Sequence, residues 1–445
     1  MALTAVLSAC TKGDYVNAIP ENSRMLMSID MQQMKEEGQM ADDGQMLKKL
    51  FHTDDLSASG LDLKEKVYLF ISADGNLGLC AKVDDAGKVE DWLNSLASQG
   101  TASKVKERRG YRFSVVGGTW VLAFSDESLL VSGPVVAAAQ AEMQQQMARL
   151  LSHEEDDEGM RTSRLFQRLD SLPSAMAMVG HASALPEQFV APFTLGAPKG
   201  SDASQIMIAA ELHNADRCLE VEGETFSFNA SVDAALKKAA AVYRPIKGTY
   251  VASMAKDALA GMFLNVDGNA FLPLMQTNKG IQTLLMGINT AIDMDNIMRS
   301  VDGDMAIMMP SMGNATAQLM MAAQLKHSRW LADVDYWKES CPSGGRITDW
   351  GKNAFCYTDG KTSYWFGVDD KMQYYSGSSR DEALASIRPA KEPISETVRH
   401  KIVGRKMVMV LNMNGVGKDQ QMLQTFASMM TPLFGEFDTI LYSLK

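Results

Sequence analysis

The 445-residue chain is short of aromatic residues, cysteine and basic charge, and it lacks any long apolar run. Each shortage narrows what the protein can be. Phe, Trp and Tyr make up only 7% of the residues, while methionine reaches 32. The five cysteines (Cys10, Cys80, Cys218, Cys341 and Cys356) are spaced like neither a zinc ribbon nor a CxxC redox site. Lys and Arg number 43 against 54 Asp and Glu, a net charge of −11. That balance is ill suited to polyphosphate partners, so nucleic-acid binding is not expected. With no apolar stretch of about 18 residues, no membrane-spanning helix is expected. No GxSxG, HExxH or Walker A pattern occurs. Gly415-Val416-Gly417-Lys418 is similar to a piece of a phosphate loop, but Asp419 stands where Ser or Thr is needed, so it reads as a turn.

What is present suits an ordinary folded protein. The composition is 46% hydrophobic and 22% charged, enough apolar material for a core in each of two or three domains. Methionine pairs such as Met31/Met34, Met143/Met147, Met294/Met298 and Met305/Met308 have the helical or local spacing of Cu(I) thioether sites. Their apolar neighbours favour core packing, or an apolar surface that adapts to its ligand. No cofactor and no metal are expected. Cys80 reads as a small core residue of a strand, and Cys341 could pair with Cys356 in an oxidising compartment.

The first ten residues end in Leu7-Ser8-Ala9-Cys10, after a short apolar stretch. This looks like a lipobox, in which small residues fit a narrow peptidase site and the cysteine thiol accepts the lipid. The expectation is therefore a lipid anchor at Cys10 and a signal or tether over 1–14. A signal peptide also needs a basic start, and no Lys or Arg precedes Cys10.

Self-similarity comes next. Met25–Asp30 matches Met262–Asp267 at an offset of 237, and Val67–Ile71 matches Met305–Met309 at 238. Trp92-Leu93 matches Trp330-Leu331, again at 238. Trp120 pairs with Trp365 at 245, Ser132-Gly133 with Ser376-Gly377 at 244, and Ala175–Val179 with Lys406–Val410 at 231. The order is kept throughout and the offset drifts only by loop-sized amounts. The expected fold is α+β, in two tandem copies of a unit with mainly antiparallel sheet and interspersed helices.

Within the first copy, a strand at 24–29 ends in Asp30, which can cap a following helix. A helix is expected near 44–51. A hairpin follows at 66–83, turning at Asp74-Gly75-Asn76. A helix near 87–95 carries Trp92, and a second hairpin turns at Gly117-Gly118. A strand at 129–132, a helix at 135–151, a strand at 175–180 and a hairpin at 206–221 complete the copy. The first unit is placed at 15–228, a linking helix at 229–248 and the second unit at 249–445. The second unit is expected to lack a final strand, leaving Phe437–Leu444 with one unpaired edge.

Several residues qualify as sites on type alone. Asp30 and Asp267 occupy matching places and are either an acid–base pair or two helix caps. The run His153–Gly159 is rich in oxygen donors but lacks the alternation of a calcium loop. His181 follows an apolar strand, where catalytic residues can sit, although a solvated or satisfied histidine is the plainer reading. Asp170-Ser171-Leu172 resembles an O-glycosylation tripeptide of exported Bacteroidetes proteins. Trp350, Tyr357, Tyr364, Trp365, Phe366, Tyr374 and Tyr375 lie within 26 positions. Strand alternation must send some of them to the core, and those facing outward are candidate ligand contacts.

With the lipobox, Tyr15-Val16-Asn17-Ala18-Ile19-Pro20, Ser23 and the strand ending at Ile29-Asp30, the chain resembles a family of uncharacterised Bacteroidetes lipoproteins defined by a domain of unknown function. The resemblance covers most of the chain and implies an envelope location in a gut or oral anaerobe. It supplies no activity and no site residues. The expected function is a non-enzymatic binding or structural role at the cell envelope, lipid-anchored to the outer membrane, with its periplasmic or surface face open. The expected partners are the membrane, through the lipid at Cys10, and a protein or glycan ligand. The alternative is a hydrolase with an unfamiliar site.

Overall fold

Strand β1 (Met25–Ile29) buries Leu26, Met27 and Ile29, and it ends where Asp30 accepts the Gln33 N–H at 2.9 Å and starts helix α1 (Met31–Glu36). The computed structural model describes residues 14–39, 56–156, 158–185, 187–282, 289, 291–310, 319–413, 431 and 436–445. The helix expected near 44–51, Cys10 and the Gly415–Lys418 turn lie outside the described residues.

The first of two compact units runs to Gly180. After α1 come β2 (Val67–Ile71) and β3 (Leu77–Lys82), joined at Gly75, whose φ of +83° suits a residue without Cβ. Helix α2 (Ala86–Ser98) is capped by Asp85. A meander follows: β4 (Lys106–Arg108), β5 (Tyr111–Val116), β6 (Trp120–Phe124) and β7 (Ser128–Gly133). Then come α3 (Gln140–Leu151), α4 (Arg164–Asp170) and β8 (Met176–His181). The ladder reads β8–β1–β2–β3–β7–β6–β5–β4, antiparallel throughout. Val89, Leu93 and Leu96 of α2 pack on Leu122, Phe124 and Leu129 on one face, with Trp92 and Trp120 against the same cluster. The alternate residues Leu130 and Ser132 line a small cavity with Met143 and Met147 of α3.

The second unit, His181–Lys445, begins with α5 (Glu187–Phe193), the hairpin β9 (Met207–Ala215) and β10 (Cys218–Phe226), and α6 (Ala230–Ala240). Next are β11 (Ala260–Asp267), α7 (Gly268–Thr277), α8 (Met294–Arg299), β12 (Val301–Met309), β13 (Met320–Leu325) and α9 (Val334–Glu339). A second meander consists of β14 (Arg346–Gly351), β15 (Ala354–Thr358), β16 (Ser363–Val368) and β17 (Gln373–Gly377). The chain finishes through α10 (Arg380–Ala385), α11 (Glu396–Ile402), β18 (Met407–Asn412) and β19 (Thr439–Leu444). The ladder reads β9–β10–β19–β18–β11–β12–β13–β17–β16–β15–β14. Helices and a mixed sheet together make the fold α+β.

Two sequence expectations are corrected. Strand β19 has no open edge: it pairs antiparallel with β18 and parallel with β10. The strand it was expected to lack is supplied by the hairpin at 207–226, which proximity in sequence had assigned to the first unit. The compact units accordingly divide at Gly180, before that hairpin and before α6, and not across 229–248.

The register corrects a third. Trp92 lies on α2, after β3, and Trp330 lies in a 3-10 turn after β13. Trp120 and Trp365, however, face opposite ways. Leu129 pairs with Ala81 and belongs to the cluster under α2, while Tyr374 pairs with Ala323 and belongs to the cluster around Trp330. Three residues further along, Ser132 opposes Val121 and Gly377 opposes Trp365. Trp365 therefore stands where Val121 stands, and Tyr364 stands where Trp120 stands. One residue of slip reverses the face.

Candidate functional site

The aromatic run of the second meander separates into two faces. Tyr357, Phe366 and Tyr374, with Phe355, enclose the fully buried Trp330, which stacks on Trp337 at 6.0 Å. Tyr364 packs on the same cluster, and its hydroxyl meets that of Tyr374 at 2.7 Å. Burial raises both hydroxyl pKa values, that of Tyr374 well above normal. Of the six expected ligand contacts, Tyr357 and Tyr374 are thus core residues and Tyr364 packs against that core, because alternation along β15, β16 and β17 turns them inward.

The other three meet on the opposite face. Trp365 and Gly377 are cross-strand partners, as are Gly367 and Tyr375. A β-bulge between Asp349 and Gly351 makes Trp350 the extra residue of β14. Its indole N–H donates to the Phe355 carbonyl at 2.9 Å. The Trp350 ring meets Trp365 at 5.7 Å and Tyr375 at 6.1 Å, both edge-on. Tyr375 is buried, and burial raises its hydroxyl pKa; Trp350 and Trp365 are half-exposed.

Small residues shape this face. A Cβ on Gly367 would lie 2.5 Å from the Tyr375 hydroxyl oxygen, and one on Gly377 would lie 2.6 Å from the Ala383 nitrogen. Gly367 thus lets the Tyr375 ring lie flat across the sheet, and Gly377 lets α10 approach it. Ser379 caps α10 by accepting the Glu382 N–H, and the Glu382 carboxylate accepts the Ser378 N–H at 3.0 Å. The first residue of that helix, Arg380, sets its guanidinium 5.0 Å above the Trp350 ring. Sequence reading missed Arg380. Its one signal was position, three residues after Gly377 at a Ser-capped helix start.

The remaining candidates resolve locally. Asp267 accepts the Asn269 N–H at 2.8 Å, so it and Asp30 are helix caps, each in its own unit. His181 donates from Nδ1 to the Ser204 carbonyl at 2.6 Å. In the acidic run, Glu154 accepts from Ser125 Oγ at 2.9 Å and His153 pairs with Asp156. Met34, Met147, Met294, Met298, Met305 and Met308 are buried. Cys341 and Cys356 are free thiols. Among the described residues no three His, Cys, Asp or Glu side chains gather as metal ligands, and no helix is long and apolar enough to cross a membrane.

A family profile described as domain of unknown function (DUF4836) matches residues 30–388. No curated protein matches the sequence. Among solved structures the chain is similar to two crystal forms of TP0453. Form IV shares 11% identity at a TM-score of 0.29, over 46% of this chain and 77% of that one. Form I shares 8% at 0.24, over 85% and 97%.

Proposed function

We propose that this chain, which belongs to the DUF4836 family, is a duplicated, lipid-anchored envelope protein of the Bacteroidetes that binds an extended ligand on the outer face of its second meander. The observation that carries the binding reading is the half-exposed Trp350–Trp365 pair beside α10. In the first unit the helix after the last meander strand, α3, has 12 residues; in the second, α10 has six. The short helix leaves aromatic surface uncovered at the place where the first unit covers Val121 and Ala123, both fully buried. A partly buried Trp pair with an Arg over one ring has the composition of binding hot spots.

Duplication is supported by strand order. The run β18–β11–β12–β13–β17–β16–β15–β14 repeats β8–β1–β2–β3–β7–β6–β5–β4 strand for strand. The anchor reading rests on Leu7-Ser8-Ala9-Cys10. Only three residues separate Cys10 from Asp14, which pairs with Arg161. A lipid at Cys10 would therefore hold the first unit within about 14 Å of its membrane.

The test is a glycan and peptide array probed with the Cys10→Ser chain and with its Trp350→Ala and Trp365→Ala variants. Specific binding lost in both variants is expected. A reproducible turnover of any substrate, abolished by changing one polar side chain, would overturn the binding reading in favour of an enzyme. For the anchor, Cys10→Ser in the cell should move the protein out of the membrane fraction, and unchanged retention would refute it.

A further inference from the structure

We propose that the ligand of this face is an acidic glycan carrying at least two carboxylates; the inference rests on the binding reading above and names its chemistry. Two arginines flank the aromatic pair. Arg346 is paired with Thr358 across β14 and β15, and Thr348 with Cys356, so Arg346, Thr348, Cys356 and Thr358 share one face. Cys356 opposes Trp365, and Thr358 opposes Ser363, which extends that face to β16. Arg346 thus stands at one end of the surface that holds Trp365, and Arg380 stands over Trp350 at the other.

Both guanidinium groups are exposed, and neither has a carboxylate partner among the described residues. The acids near the face are committed or lateral. Asp349 binds Lys338, Asp370 binds Lys352, Glu382 caps the start of α10, and Asp381 is the exposed neighbour of Arg380. In a chain of net charge −11, two unpaired arginines beside partly buried indoles present planar donors to a planar anion.

Spacing and polarity choose among anions. Arg346 and Trp350 are four residues apart on one strand, about 13 Å at strand rise. A ligand with two carboxylates can engage both ends at once. The hydroxyls of Thr358 and Ser363 share the cross-strand row of Arg346, and that of Thr348 lies one row nearer Trp350; they suit the hydroxyl-rich edge of a sugar, while the indoles suit its apolar face.

The experiment titrates the Cys10→Ser chain by tryptophan fluorescence with a galacturonic acid trimer, with the galactose trimer of the same linkage, and with a glutamate hexapeptide. The acidic trimer should bind at least about tenfold more tightly than the neutral one, and added salt should weaken it. Arg346→Ala and Arg380→Ala should each cost about tenfold for the acidic trimer and markedly less for the neutral one. Trp365→Ala should weaken both. Equal binding of the two trimers, lost in Trp365→Ala but indifferent to the arginines, overturns the acidic ligand and leaves the binding surface standing. Tighter binding of the glutamate peptide overturns the glycan. Binding of neither trimer overturns the inference, and the array above then decides the surface by itself.

Discussion

The two meanders use one strand order to build different outer faces. In the first, Val121, Ala123 and Leu130 are fully buried on the side of α3, and the aromatic Trp120 faces the opposite way, towards α2. In the second, Trp365 and Gly367 take the places of Val121 and Ala123 by register, and Tyr375 takes the place of Leu130. A 12-residue helix can cover an aliphatic face completely. A six-residue helix over glycine and tryptophan cannot. The difference teaches that a covered sheet face becomes a candidate binding surface through helix length and a few side-chain exchanges, with the backbone pairing unchanged.

The comparison is most easily broken in the cores. Trp330 is completely buried against Trp337, Phe355 and Phe366, whereas Trp92, at the matching place, is half-exposed. Trp330→Ala should cost about 3–5 kcal/mol in urea unfolding. Trp92→Ala should cost less, about 1–2 kcal/mol, because part of its surface stays in water. Equal losses would mean that the difference in cover between the two indoles has no energetic consequence.

A smaller effect concerns the helix that covers each face. Gly377→Val would drive a side chain into the Ala383 and Glu382 backbone, an overpacking cost of about 1–3 kcal/mol. Lifting α10 should also shift tryptophan emission to the red as Trp350 and Trp365 gain water. Ser132→Val, at the matching place, lines a small cavity under α3 and should cost less. A larger loss from Ser132→Val would show that α3, not α10, is the tighter cover.

The smallest effect is at the caps. Asp30→Ala and Asp267→Ala should each cost about 1 kcal/mol. For Asp267 the pH dependence has a definite sign. Its carboxyl is held below the ordinary carboxylate range, chiefly by the Asn269 N–H, with Lys326 and Arg244 adding attraction. Its contribution is therefore present above the unfolded pKa and lost as pH falls through the lower folded value. The gap between wild type and Asp267→Ala should close on acidification below that range. A gap that persists there would assign the cap's effect to something other than its charge.

Local chemistry was legible residue by residue. Asp30 and Asp267 cap helices because a carboxylate following a strand can reach the next free N–H groups, a contact that spans three positions at most. The turn at Gly75 and the paired glycines at Gly117 and Gly118 take positive φ because their neighbours could not do so cheaply. The apolar segments at 25–29, 67–71, 262–267 and 305–309 also became strands. Pairing register did not. Trp120 and Trp365 matched by residue type yet face opposite sides, because identity says nothing about which cross-strand partner a residue meets.

The sequence by itself determined the apolar strands, the helix starts, the tight turns and the presence of an aromatic cluster, because each depends on neighbours within a few residues. Tertiary structure alone decided that β10 would close the edge of β19, that Tyr357 and Tyr374 of the cluster would be core, and that Arg380 would lie over Trp350. Those outcomes depend on strand partners far apart in the chain and on the length of a covering helix. Alternation has a period of two, so a shift of one residue moves a side chain from core to surface.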